Sequence, residues 1–232
     1  MVAQVAYEAA LQGMVLLKNT PGGKGLPLVA AGLKLAVVGP LGNTHAGLQS
    51  DYEGAGDDSE DTIFMALQRQ NKLGTTAFAE GVPVTGNGQA NDTAAALAVS
   101  ICIGLAQSLL NCFCAGNVRK KFMTEISVFL CVFLQAVGAA DVTVLAIGLM
   151  KAQEHEGMDR KDTLLPSGQE AFAQQVFKAA GGKRFPSMVI VILCNGGAVS
   201  IDDLIAPSSV IIEAFNPVRM NTGMTQSLSN IF

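Results

Sequence analysis

The sequence predicts an α/β fold, a mostly parallel sheet (an α/β sandwich) with helices on both faces. Three observations lead there. Four apolar runs, at residues 33–39, 142–149, 188–193 and 210–215, are bounded by turn residues and interleaved with helical periodicity. None of them alternates apolar with polar residues, the pattern of strands buried on both faces of a parallel sheet. Half of the 232 residues are apolar, enough to build a core for a single domain.

Taken in order, apolar residues at Val2, Val5, Ala6, Ala9 and Ala10 recur with a helical period that ends at Gly13. Residues 14–17 read as a strand, 18–24 as a turn and 26–28 as a tight extended segment. LKLAVVG at 33–39 is the first strand buried on both sides. A long Gly-, Asp-, Ser- and Asn-rich loop follows at 39–61, a length that usually marks function or disorder. Asp61 is placed to cap a helix through about Asn71. A small-residue helix end at 136–140 leads into the strand VTVLAIGL at 142–149. A helix follows from Ser167 to about Ala180, with Phe172, Val176 and Ala179 on one face. MVIVIL at 188–193 and VIIEAF at 210–215 complete the sheet. Ligands of such sheets bind outside the carboxyl ends of the strands, so the loops after Val38, Leu149, Leu193 and Phe215 are the ones to watch.

Charge and cysteine usage exclude several classes. A net charge of −4, with only 15% charged residues, argues against a nucleic-acid partner; the one basic cluster is Arg119-Lys120-Lys121. The five cysteines, Cys102, Cys112, Cys114, Cys131 and Cys194, have neither zinc spacing nor an even count, and read as buried free thiols. No metal or cofactor is implied. Residues 1–13 lack the charged and apolar regions of a signal peptide. Gly39-Pro40-Leu41-Gly42 has neither dinucleotide nor phosphate-loop spacing, and Gly196-Gly197 reads as a tight turn.

Four blocks then stand in a familiar order: GMVLLKN (13–19) with LPL and LAVVGP, and Asp51-Tyr52-Glu53-Gly54 after them; GLMKAQEHEGMDRKDTLLPSGQ (148–169); VIVILCNGGAVSID (189–202); and AFNPVRMNTGMTQSLSNIF (214–232). Together they resemble the C-terminal domain of family 3 glycoside hydrolases, nearest to the β-xylosidase, arabinofuranosidase and β-glucosidase type. The resemblance covers the chain except for about 80–135. Departures from the family pattern are Ala198 for the usual Pro, Ser200 for Asp, and Pro217-Val218 for Pro-Gly. The pattern also expects one more Gly beyond Phe232, so the domain, 1–232, reads as incomplete at its C-terminus.

Residues 99–135 are an anomalous apolar insertion. Without them, 93–98 would run into 136–141 as one Ala-rich helix. The segment holds four of the five cysteines, and Glu125 is its one acidic residue. It opens with Val99-Ser100, which GT-initial codons would encode. It closes on an apolar run readable from pyrimidine-rich codons, then Gln135. It therefore reads as a translated, unspliced intron or as a genuine insertion. A membrane span at 94–115 would meet the length of about 20 residues, but Gln107, Ser108 and Asn111 weaken it.

The resemblance implies a retaining β-glycosidase of carbohydrate catabolism acting on an oligosaccharide or glycoside. Such enzymes use two carboxyl groups about 5–5.5 Å apart, a nucleophile and a general acid/base. The family pattern aligns the acid/base with Glu154, with Glu156 the alternative. Asp51 and Tyr52 could approach substrate. Asp159 and Arg160 are expected to fix the loop, the guanidinium forking onto a carboxylate. His155 reads as a loop residue, and Lys18 and Asn19 as hydrogen-bonding around the first strand turn. The nucleophilic Asp belongs to an upstream β/α-barrel that nothing here matches, so this polypeptide alone is expected to be inactive. The family also suggests an extracellular or cell-wall setting. The alternative is a non-catalytic sugar-binding or interaction module of the same fold.

Overall fold

The computed structural model describes residues 2–28, 32–49, 61–82, 140–166, 168–181 and 188–216. Residues 99–135, the basic cluster, Asp51, Tyr52 and Val218 lie outside the described residues. The chain runs α1 (Val2–Gly13), β1 (Val15–Asn19), β2 (Lys34–Val38), a 3-10 turn (Ala46–Leu48), α2 (Ile63–Gln70), β3 (Thr75–Ala79), β4 (Val142–Gly148), α3 (Gln169–Gly181), β5 (Met188–Cys194), α4 (Asp202–Ile205) and β6 (Val210–Glu213). The strands form one sheet in the order β1-β6-β5-β4-β2-β3. Every neighbouring pair is parallel except β1 with β6, which is antiparallel.

Alternation along each central strand feeds two separate cores. Val37, Val144, Ala146, Ile190, Ile192 and Ile212 pack on one face with Ile63, Ala66 and Leu67 of α2. Val38, Leu145, Ile147, Val191, Leu193 and Ile211 pack on the other with Phe172, Ala173 and Val176 of α3 and Leu204 of α4. All seven residues of β4 are buried, which explains an apolar run in which Thr143 is the one polar side chain.

Several elements differ from expectation at their ends. Thr62, not Asp61, caps α2: its hydroxyl accepts from the Met65 N–H at 3.2 Å and donates to Asn43 Oδ1 at 2.7 Å. Asp61 instead pairs with Arg69, about two turns on. β1 extends two residues further than read. The Lys18 ammonium reaches the carbonyls of Ile205 and Ser208, and the Asn19 amide clasps both N–H and C=O of Leu26. The buried stripe of α3 is Gln169, Phe172, Ala173, Val176, Phe177 and Ala180, with Ala179 only half-buried beside it.

β3 and α4 were not anticipated. TTAFA is a half-exposed edge strand with little apolar signal, and α4 is a single turn. The run at 210–215 ceases to be strand after Glu213, because Phe215 turns to φ 56. Among the described residues, no helix is long and apolar enough to cross a membrane.

Candidate active site

The carboxyl ends of β4, β5 and β6 meet at one edge, and the loop after β4 is anchored there before it leaves the sheet. Gly148, the last residue of β4, adopts φ 146. A Cβ at that position would lie 2.0 Å from the Cys194 carbonyl oxygen, so only glycine lets β4 stay paired with β5 to its end. The fully buried Gln169 side chain then closes on both polar groups of Gly148. Its Oε1 accepts the Gly148 N–H at 2.8 Å and its Nε2 donates to the Gly148 carbonyl at 3.0 Å. Leu149 N–H donates to Cys194 O at 2.9 Å, extending the ladder by one residue.

Past this anchor the chain reverses over the Met150 carbonyl, which accepts from the N–H groups of Gln153 (2.8 Å) and Glu154 (3.2 Å). The half-buried Glu154 carboxylate thereby comes to lie on the turn after β5. A Cβ built on Gly197 would sit 2.0 Å from its Oε2, and one on Gly196 would sit 3.4 Å from its Oε1 and 2.9 Å from Asn216 Nδ2. The double glycine is thus the room into which the carboxylate fits. Glu156 is exposed, and the neighbouring His155 ring pairs with the Glu156 carbonyl at 2.8 Å.

Among the described residues, the Arg160 guanidinium donates to the carbonyls of Ala198 (3.0 Å) and Leu164, with Asp162 Oδ1 at 3.9 Å. The loop is fastened to the β5 turn through backbone acceptors, which the sequence does not mark. Asp159 is exposed. Ser200 accommodates its departure from the family pattern: its N–H donates to Thr163 O at 2.7 Å and its hydroxyl to Asp202 Oδ2 at 3.2 Å.

Beside Gly196-Gly197 opens a cleft of about 240 Å³ that the sequence reading missed, lined in part by Leu17, Asn195, Glu213 and Phe215. Glu213 Oε1 accepts the Phe215 N–H at 2.9 Å, and Oε2 accepts from Asn195 Nδ2 at 3.3 Å. Burial lifts the Glu213 carboxyl above the ordinary glutamate range, against the pull of those two donors. The same Asn195 nitrogen donates to Gly197 O at 3.1 Å, so one amide ties the cleft to the turn under Glu154. The available signal was a single carboxylate inside VIIEAF and a single amide directly after MVIVILC. Cys194 is buried, and burial followed by the Glu213 charge pushes its thiol up, away from the thiolate a nucleophile needs. Among the described residues, no three His, Cys, Asp or Glu side chains cluster to hold a metal ion.

The family model described as "Glycosyl hydrolase family 3 C-terminal domain" matches residues 14–226. Beta-xylosidase/alpha-L-arabinofuranosidase 2 of Medicago sativa subsp. varia is 31% identical over 85% of this chain and 19% of its own length. A probable exo-1,4-beta-xylosidase of Neosartorya fischeri is 27% identical over 87% of this chain and 20% of its own. The chain therefore spans about a fifth of the length of these relatives. Among solved structures, a GH3 exo-beta-xylosidase in complex with a xylobiose aziridine probe superposes with a TM-score of 0.64 at 21% identity, over 99% of this chain and 23% of that one. A beta-glucosidase from Listeria innocua in complex with glucose gives 0.64 at 19% identity, over 96% and 24%.

Proposed function

The chain belongs to the glycosyl hydrolase family 3 C-terminal domain family, and from that membership we propose that it supplies the general acid/base loop of a retaining β-glycosidase of β-xylosidase type. The observation that carries this reading is the seat of the Glu154 carboxylate, at the carboxyl edge of the sheet against Gly196 and Gly197. A carboxyl group held on an anchored loop at that edge is placed to face a sugar bound there. The β-xylosidase relatives support the substrate class.

In the proposed reaction a carboxylate from a β/α-barrel domain outside this chain attacks the anomeric carbon, while Glu154 gives its proton to the departing glycosidic oxygen. Glu154, now a carboxylate, then takes a proton from water as that water attacks the same carbon and releases the barrel carboxylate. Glu156 is the alternative acid/base. Asp51 and Tyr52 remain proposed substrate contacts, and Arg160 a structural one. Residues 99–135 stand as an insertion, or an unspliced-intron segment, within one domain. The chain by itself is inactive on aryl β-xylosides and β-glucosides on this reading. Turnover by the purified chain that Glu154→Gln abolishes would overturn that part.

The acid/base role is tested in an enzyme that joins this domain to the nucleophile-bearing barrel. Glu154→Gln should cut kcat by about 10²–10⁴-fold on a xyloside with a poor leaving group, which needs protonation. A dinitrophenyl xyloside leaves unaided, so its first step should be nearly untouched. Equal rates for wild type and variant on both substrates would sink the assignment and favour a non-catalytic sugar-binding module.

A further inference from the structure

We propose that the cleft lined by Leu17, Asn195, Glu213 and Phe215 is a binding pocket for one polyhydroxylated ring, a pentose or hexose unit. The inference relies on the preceding reading for the sugar class alone; the pocket itself is argued from its walls. Leu17 and Phe215 are apolar, exposed lining residues, while Asn195 and Glu213 bring one amide and one carboxyl group to the same lining. A pyranose has that division, with C–H groups on its faces and hydroxyls around its rim.

The polar lining has hydrogen-bonding capacity to spare. Among the described residues each Glu213 oxygen accepts one bond, whereas a carboxylate accepts about four in all. Asn195 is only 4% exposed, and among the described residues its buried Oδ1 has no hydrogen-bond partner. Both acceptors of its Nδ2, Gly197 O and Glu213 Oε2, fix which end of the amide is oxygen. The unspent group is therefore an acceptor, and a ligand hydroxyl is the donor that matches it.

The backbone points the same way. Phe215 holds φ 56, a conformation costly for a bulky residue and found preferentially where a ligand is clamped. Leu17 falls at the irregularity in the β1–β6 register, between Leu16 and Lys18, where a bulge re-aims a side chain. Two local departures from regular structure thus converge on one cleft.

The experiment is an amide NMR titration of the full chain with D-xylose, with cyclohexanol as a one-hydroxyl control. Saturable shifts are expected at Gly196, Gly197, Phe215 and the Asn195 side-chain amide, with a dissociation constant roughly in the millimolar range. Glu213→Gln should weaken binding about tenfold, the loss of a charged acceptor. Phe215→Gly should weaken it comparably while keeping or raising the melting temperature, because glycine prefers φ 56; that rules out misfolding as the cause. Absence of saturable shifts at these groups up to about 100 mM, equal response to cyclohexanol, or unchanged affinity in both variants would overturn the pocket. A failure of Glu154 as acid/base would appear in the leaving-group experiment and leave these shifts in place.

Discussion

Two glycines at the site face the same overlap, and physical chemistry predicts opposite outcomes when each becomes alanine. A Cβ on Gly148 would meet the Cys194 carbonyl oxygen at 2.0 Å, and a Cβ on Gly197 would meet Glu154 Oε2 at 2.0 Å. At Gly148 the obstacle is backbone at the last pair of a parallel ladder, and φ 146 is itself strained for an L-residue. Strain of about 1–3 kcal/mol adds to the cost of parting β4 from β5, for a total of about 4 kcal/mol. For a chain of this size that lowers Tm by about 10 °C. At Gly197 the obstacle is the far end of a flexible side chain. Ordinary contact begins at 3.4 Å, so the carboxylate must retreat by about 1.4 Å from its 2.0 Å position. Stability should change by less than about 1 kcal/mol. Misplacement on that scale can cost about 10²-fold in rate. Thermal unfolding by circular dichroism, with xyloside turnover of the barrel-joined enzyme, separates the two. Gly148→Ala melting within 2 °C of wild type, or Gly197→Ala retaining full turnover, would refute this reasoning.

Further outcomes follow from the anchor and the cleft. Gln169→Leu strips the Gly148 N–H and C=O of their partner in a fully buried setting. It should cost about 2–4 kcal/mol in chemical denaturation; a loss below about 1 kcal/mol would show that water replaces the amide. The Glu213 folded-state pKa is raised above the ordinary 4.5. A raised carboxyl contributes stability that is full below 4.5 and is lost as pH rises through the folded value. Wild type should therefore lose ground to Glu213→Gln across that window, read from paired unfolding curves; a gap independent of pH would contradict the shift.

The central sheet was legible because burial on two faces leaves a mark in every residue. Strands β2, β4 and β5 are apolar runs interrupted only by Lys34 at the start of β2 and the buried Thr143 in β4, and any other placement would expose them. The family resemblance likewise needed only local words in order, and it directed attention to Glu154. Elements whose signal is weak or shared escaped. β3 is an edge strand that needs only one half-buried face, and Thr62 and Asp61 are equally good caps until Arg69 claims the second. The Gln169 clasp on Gly148 spans 21 residues and the Asn195–Glu213 contact 18, distances at which sequence carries no pairing rule. Arg160 donates to carbonyls of Ala198 and Leu164, backbone partners that carry no mark in the sequence. The sequence by itself determined which strands are buried and which loop bears the carboxylate. Tertiary structure alone decided what that carboxylate rests against, because hydrogen-bond partners and empty space are properties of neighbours in three dimensions.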